Sequence, residues 1–152
     1  MTARTFAALC GALYVALGVA GFVPALWERP PADPTLSIRV FHASLFGVFV
    51  TNIILTMTHG VISLWGAMAA NNKYSALVFA RAGTIIFLLM GIVGLVPIDV
   101  VKNVYGTAPL YGNNVWLHLA TAAVGLFFSL RPGYTLSDVG TQEQMNPHQP
   151  HK

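Results

Sequence analysis

The chain has 152 residues, of which 55% are hydrophobic and 9% are charged, and it carries a formal net charge of +3. A soluble domain carries roughly 25% charged residues, so this composition predicts a single-domain integral membrane protein with the lipid bilayer as its first partner. The Lys and Arg residues occur singly rather than in basic runs, which argues against a nucleic-acid partner. The single cysteine, Cys10, excludes an intramolecular disulfide and a cysteine-based metal centre.

The first half of the chain predicts two membrane-spanning helices. The first helix runs from about residue 5 to residue 27, and a polar connector with three prolines follows it over residues 28–39. The second helix covers residues 52–70, a nineteen-residue apolar segment without a formal charge. Residues 40–50, which lie between the connector and this span, are predicted as an interfacial helix or as an outward extension of the second helix.

The second half of the chain predicts two more helices. The polar turn at residues 71–73 is short, so helices two and three are expected to be antiparallel neighbours. Helix three covers residues 74–97, a second polar connector covers residues 99–113, and helix four covers residues 114–130. The Arg-Pro-Gly sequence at residues 131–133 then predicts the end of the helical part.

These elements divide the chain into a four-helix transmembrane domain at residues 1–131 and a disordered polar tail at residues 132–152. Five basic residues fall on one side of the predicted membrane, and three fall on the other side. Because positive charge is enriched on the cytoplasmic side, this difference predicts that both termini are cytoplasmic.

Two matched motifs predict an internal repeat. The sequence G-x-x-G-[FL]-V-P ends helix one at residues 18–24 and helix three at residues 91–97, an offset of 73. A histidine with a glycine seven residues further on occurs at His59 in helix two and at His118 in helix four, an offset of 59. The predicted fold is therefore all-α, a four-helix transmembrane bundle built from two similar helical hairpins.

The repeat predicts that His59 and His118 lie at equal depth and can meet inside the bundle. Two neutral imidazoles from facing helices are a standard axial pair for an electron-transfer haem, so haem b is one candidate cofactor and a chlorophyll-type pigment is another. His42 is a third candidate ligand. The alternative is that each histidine hydrogen-bonds a threonine, an asparagine or a backbone carbonyl of a neighbouring helix and thereby holds the bundle together.

The sequence predicts neither an enzyme nor a metal site. The four predicted helices contain no Asp or Glu for general acid–base catalysis, and the sequence H-E-x-x-H is absent. A transporter is a further alternative, because polar side chains such as Asn52, Thr56 and Asn114 fall in one half of the predicted bundle. The other half is almost purely apolar, so a polar path across the membrane would require oligomerisation.

Several short motifs resemble one bacterial family. They are Arg4 before an apolar helix, the sequence Gly-Phe-Val-Pro at residues 21–24, and Asn-Val-Trp-Leu-His at residues 114–118. Over about residues 4–130 the chain resembles the bacterial four-helix membrane proteins grouped as domain-of-unknown-function family 4383. The resemblance implies the four-helix architecture and draws attention to His59 and His118, but it implies no activity.

We therefore predict a non-enzymatic, multi-pass protein of the bacterial inner (cytoplasmic) membrane that acts as a structural or accessory subunit of a larger membrane complex. Its expected protein partners are other membrane subunits or further copies of itself. The alternative prediction is an electron-transfer membrane protein that binds haem b or a pigment through His59 and His118.

Overall fold

A computed structural model describes residues 2–130 of the chain, and the predicted tail at residues 132–152 lies outside the described residues. Helices, with a short 3-10 turn counted among them, account for 64% of the described residues. The helices are α1 (Ala3–Ala20), α2 (Ile53–Ala69), α3 (Lys73–Leu95), α4 (Asp99–Lys102) and α5 (Asn113–Ser129). The strands are β1 (Trp27–Glu28), β2 (Ala43–Leu45) and β3 (Phe49–Thr51), and a 3-10 turn spans Pro24–Leu26.

The four long helices lie where the apolar segments predicted them. Their starts follow from local chemistry, because Asn52 and Asn72 cap α2 and α3 by accepting hydrogen bonds from the backbone amides of Leu55 and Ser75. Two of them, α1 and α3, are long and apolar enough to cross a membrane, whereas α2 is apolar but one residue shorter than α1. The predicted connector between helices three and four contains the short helix α4.

The all-α prediction is wrong in the region before α2, where residues 40–50 form part of a small sheet instead of a helix. Strand β2 pairs antiparallel with both β1 and β3. Phe41 and Phe46 adopt positive φ angles of 55° and 53°, which a right-handed helix does not allow. Gly47, with a φ of 68°, completes the tight turn between β2 and β3.

Helix α1 is also shorter than predicted, because it ends at Ala20 and not near residue 27. The Ala20 carbonyl oxygen at the helix end accepts hydrogen bonds from the Val23 amide and from the indole N–H of Trp27, each over 3.1 Å. Pro24 lies at the start of the 3-10 turn and has no amide hydrogen with which to continue α1.

The long helices pack as two antiparallel pairs, α1 with α2 and α3 with α5, and the pairs meet mainly through α1 and α3, with further contacts of α2 with α3 and of α1 with α5. Small residues bring the backbones of each pair together. A Cβ atom at Gly66 would lie 2.9 Å from the carbonyl oxygen of Ala7, and one at Gly18 would lie 3.3 Å from the amide nitrogen of Gly60. Close backbone approach of this kind is typical of helices that associate in lipid.

The contacts between α1 and α2 recur between α3 and α5 at the two sequence offsets, 73 and 59. Three pairs of contacts match in this way. They are Gly66 with Ala7 and Gly125 with Ala80, Gly18 with Gly60 and Gly91 with Leu119, and Gly21 with Thr56 and Gly94 with Val115. Two hairpins of similar structure would make such matched contacts.

The two connectors, residues 21–52 and 96–112, fold together into one polar cap at one end of the helices. The amides of Ser37 and Ile38 both donate to the carbonyl oxygen of Gly106. The fully buried Asn52 side chain donates to the carbonyl oxygens of Ile38 and Thr107, at 2.8 and 2.7 Å, and so joins both connectors to α2.

Asn114 has the corresponding place on α5. Its amide nitrogen donates to the carbonyl oxygens of Val50, at 2.6 Å, and Pro109, at 2.9 Å. The side chain is 1% exposed, so these bonds are made away from water and are costly to lose. The cap therefore fixes the ends of α2 and α5, the two helices that carry His59 and His118.

Candidate functional site

Four aromatic rings meet in the centre of the helices, and we call this group the ring cluster: Tyr14, His59, Phe87 and His118. The two imidazole centroids are 6.0 Å apart, with the rings inclined at 63°. Tyr14 lies 5.0 Å from His59, Phe87 lies 6.1 Å from His118, and Tyr14 and Phe87 stack at 4.8 Å. Each of the long helices contributes one ring.

The structure thus brings together the two histidines that the sequence singled out. Sequence reasoning missed Tyr14 and Phe87, although a signal was present, because these residues are 73 positions apart and occupy matched places in the two predicted hairpins. All four side chains are at most 3% exposed. The ring cluster is therefore closed to water and to lipid.

The third candidate ligand, His42, lies in the turn before β2, in the cap and not among the long helices. Its Nε2 atom is buried without a hydrogen-bond partner. Burial lowers the pKa of His42 below its ordinary value, so the side chain is mostly neutral near pH 7.

Both nitrogens of His59 and both nitrogens of His118 are buried without a hydrogen-bond partner among the described residues. The predicted hydrogen bonds from the histidines to a threonine, an asparagine or a carbonyl are therefore wrong. The neighbouring hydroxyls bond elsewhere, since Thr56 pairs with Thr51 and Thr121 pairs with the Tyr14 hydroxyl. A buried polar group without a partner costs about 1–3 kcal/mol, so the pair is a clear exception to ordinary core packing.

The Tyr14 hydroxyl anchors the ring cluster through a buried hydrogen bond of 3.1 Å to Thr121 Oγ1. Replacing Tyr14 with Phe is expected to lower the free energy of unfolding by about 1 kcal/mol, because the ring is retained and one buried hydrogen bond is lost. Thr121 keeps its bond to the Leu117 carbonyl oxygen, which limits the loss. Thermal unfolding in detergent, followed by circular dichroism, measures the change, and an effect above about 3 kcal/mol would contradict this account.

A second polar cluster lies in the cap around Asp33. The Asp33 carboxylate accepts hydrogen bonds from the amide and the hydroxyl of Thr35, at 3.0 and 2.8 Å, and from Asn103 Nδ2, at 2.7 Å. Burial alone would raise the pKa of Asp33, but the hydrogen bonds outweigh burial and the pKa lies below its ordinary value. The cluster links the first connector to the second.

The lowered pKa of Asp33 predicts acid sensitivity of the cap. Because the folded-state pKa lies below the unfolded value, the stabilisation is present above about pH 4 and is lost as the pH falls towards the folded-state pKa. Unfolding measured from pH 7 down to pH 3 is expected to show this loss, and Asp33→Asn is expected to flatten the curve. Equal pH dependence in the variant and the parent would contradict the assignment to Asp33.

His59 and His118 are suitable metal ligands, but the packing of the ring cluster does not fit a porphyrin. Two imidazoles that each direct a nitrogen at one metal, with metal–nitrogen bonds of about 2 Å, have ring centroids about 6 Å apart, and the observed centroid distance is 6.0 Å. A porphyrin would have to extend sideways between the imidazoles, where the stacked rings of Tyr14 and Phe87 lie against them. Haem ligation therefore requires these rings to move apart.

Among the surface grooves of the described residues 2–130, four well-formed ones have linings that do not include His59 or His118. One groove, of 270 Å³, runs along the outer face of α1 and α2, with Gly18 and Gly60 among its lining residues. Nothing lies within 4 Å of where a Cβ atom of Gly60 would be, so this glycine faces open space. The remaining lining residues are mostly large and apolar, and include Val15, Val61 and Leu64.

Comparison with protein families gives a match over most of the chain. The sequence model of the domain of unknown function DUF4383 matches residues 4–130. Comparisons with curated proteins and with solved structures find no match.

Proposed function

The chain belongs to the family of the domain of unknown function DUF4383, and since that domain has no known function, we propose a function from physical features alone. The proposal is a multi-pass membrane protein that serves as a structural or accessory subunit of a larger membrane complex. In this proposal α1, α2, α3 and α5 all cross the bacterial inner membrane, as a four-helix bundle of two duplicated hairpins. Both termini are cytoplasmic and the cap lies on the opposite side. The protein acts without catalysis.

The outward side chains support four spans. Each long helix exposes large apolar residues, such as Leu9 of α1 at 58%, Val61 of α2 at 65%, Leu89 of α3 at 57% and Trp116 of α5 at 66%. None of these helices contains Asp or Glu. Helices α2 and α5 have 17 residues each, a length of about 25 Å, which suits a bilayer that thins slightly or a span completed by the cap.

The matched contacts support the duplication. Gly66 lies against Ala7 just as Gly125 lies against Ala80, and the partners of each contact are related by the offsets 59 and 73. One ancestral hairpin, repeated, accounts for the matched motifs and for the matched contacts together. The two histidines then derive from one position.

The observation that carries the accessory role is the open groove along α1 and α2 with Gly60 on its face. In lipid, helices associate through close packing over small residues, so an apolar groove with an outward glycine suits a transmembrane helix of a partner subunit. The interior supports the same role, because the four side chains of the ring cluster are closed to water and to lipid.

Replacing Gly60 with Leu tests the accessory role. The new side chain fills the groove without meeting atoms of its own chain within 4 Å of its Cβ position. Native gel electrophoresis of membranes solubilised in mild detergent is expected to show a complex larger than the 16.3 kDa chain for the parent and a smaller species for the variant. Ala123→Leu, an exposed change on α5, is the matched control and is expected to leave the complex intact.

Two outcomes would contradict this role. If the parent protein solubilised from native membranes migrates as a single chain, it forms no complex. If the Gly60→Leu complex keeps the size of the parent complex, the groove does not bind the partner. The purified chain expressed alone distinguishes the partners, because a complex of the same size made from this chain alone is a homo-oligomer.

The alternative function is electron transfer through haem b or a pigment held by His59 and His118. The unpartnered imidazole nitrogens favour it, and the packing of Tyr14 and Phe87 disfavours it. When bound, a haem would supply one-electron chemistry between two histidine ligands. A visible spectrum of the purified protein decides: a Soret band that disappears in His59→Ala and His118→Ala would establish the alternative, and a colourless preparation would eliminate it.

A further inference from the structure

The pair of histidines in the ring cluster has the features of a site for one small ligand. His59 and His118 present four buried nitrogens that no described residue satisfies, and their ring centroids are 6.0 Å apart. Native cores leave few polar atoms in this state, and such groups call for a ligand or another explanation. A single metal ion that takes one nitrogen from each ring at about 2 Å fits this centroid spacing.

The number of ligands selects the kind of metal. Among the described residues no group of three or more His, Cys, Asp or Glu side chains is placed to hold an ion. Zinc in proteins takes four ligands, and magnesium and calcium take six or more, mostly oxygens. A site of two imidazoles without a carboxylate therefore suits an ion that accepts two-coordinate, nearly linear geometry.

The apolar surroundings select the charge of the ion. Moving an ion from water into a low-dielectric interior has a cost that rises with the square of its charge, so a monovalent ion is far less unfavourable than a divalent one. No acidic side chain of the four long helices is available to balance a second positive charge. Copper binds imidazole well, and Cu(I) is the biological copper ion that is monovalent and accepts two ligands.

We propose that His59 and His118 form a two-coordinate site for one Cu(I) ion in the centre of the four long helices. Each imidazole supplies one nitrogen to the ion. Tyr14 and Phe87 flank the site and keep water from it, which protects a bound ion from exchange. This site is independent of the accessory role proposed above, since copper binding and complex formation are measured separately.

Anaerobic titration with Cu(I) tests the site on the full-length protein in detergent. The protein used carries His148→Ala and His151→Ala and a purification tag without histidine. Histidines of the tail and of the tag then cannot contribute to the measured copper binding. In competition with a chromophoric Cu(I) chelator, the protein is expected to bind one copper ion per chain. X-ray absorption is expected to show two nitrogen ligands at about 2 Å.

Single substitutions assign the ligands. His59→Phe and His118→Phe, which keep an aromatic ring in place, are each expected to weaken Cu(I) binding by more than about 100-fold, because loss of outer-shell partners alone costs 10–100-fold. His42→Ala, in the cap, is the matched control and is expected to bind copper as the parent does. Circular dichroism of each variant without metal checks that the fold is retained.

Several results would overturn the proposal. They are a parent protein that binds no Cu(I), binding that survives both phenylalanine substitutions, or an absorption spectrum with sulfur or with four ligands. Binding of Zn(II) in place of Cu(I), or a Soret band that disappears in the same variants, would equally overturn it. If both variants fail to fold, the X-ray absorption spectrum of His42→Ala still decides, because His59 and His118 are then the only histidines left in the chain.

Discussion

Replacing Asn52 with Ala is expected to lower the free energy of unfolding by about 3–5 kcal/mol, one of the largest effects of any single substitution in the chain. Asn52 is 0% exposed, and its side chain makes three hydrogen bonds, to Ile38, Leu55 and Thr107. Loss of the helix cap costs about 1 kcal/mol. The part-buried carbonyl oxygens of Ile38 and Thr107 also lose their partner, and these two losses together add about 2–4 kcal/mol.

Two further variants sharpen this test. Asn52→Asp keeps the oxygen that caps Leu55 but turns an acceptor towards the carbonyl oxygens of Ile38 and Thr107, so it is expected to be at least as destabilised as Asn52→Ala. Asn71→Ala removes an exposed asparagine from a turn and is expected to change stability by less than about 0.5 kcal/mol. Unfolding of the purified proteins by titration with sodium dodecyl sulfate in mixed micelles measures all three. Similar losses in Asn52→Ala and Asn71→Ala would show that the cap does not depend on this side chain.

Alanine substitutions at two glycines of α2 are expected to change stability in opposite directions. At Gly66 an added Cβ would lie 2.9 Å from the Ala7 carbonyl oxygen and 3.1 Å from the Gly11 backbone, so α1 and α2 must separate. Overpacking of this kind costs about 1–3 kcal/mol. At Gly60 the added methyl meets nothing within 4 Å, and the better helix propensity of Ala is expected to stabilise the protein by up to about 1 kcal/mol.

The two alanine variants differ only in position along one helix, so each is the control for the other. Thermal unfolding of both, in the same detergent, gives the comparison. Gly125, which corresponds to Gly66 in the other helix pair, provides a repeat of the test. In Gly125→Ala the added Cβ would lie 3.4 Å from the Ala80 carbonyl oxygen, 3.0 Å from Phe6 of α1 and close to the Thr84 hydroxyl. If Gly60→Ala destabilised the protein as much as Gly66→Ala, the close approach of α1 and α2 at Gly66 would not be the cause.

The unpartnered histidines give a physical reason to expect a function in the interior. Replacing a buried imidazole that makes no hydrogen bond with an apolar side chain is expected to raise stability, because burial of the unbonded nitrogens is unfavourable. Selection for stability alone would therefore not retain these histidines. His59→Phe and His118→Phe therefore carry a second prediction, that both proteins stay folded without metal. The positions then report on ligand binding alone, which keeps the copper and haem experiments interpretable.

The sequence determined the long helices, because their signals are local. An apolar segment long enough to span lipid specifies a helix wherever it occurs, and residues such as Asn52 and Asn72 mark the starts by capping them. The sequence also predicted the meeting of His59 and His118, since the offset between the hairpin motifs relates their positions. These conclusions required no knowledge of distant contacts.

Only the tertiary structure decided the cap and the surroundings of the histidines. Strands of two or three residues have no local signal and depend on pairing with each other and on the Val50 carbonyl held by Asn114. The same applies to the imidazole nitrogens, because hydroxyls that were available in the sequence turned out to bond to each other or to Tyr14. Which polar atoms remain without a partner depends on packing across all four long helices, and no single segment of sequence encodes it.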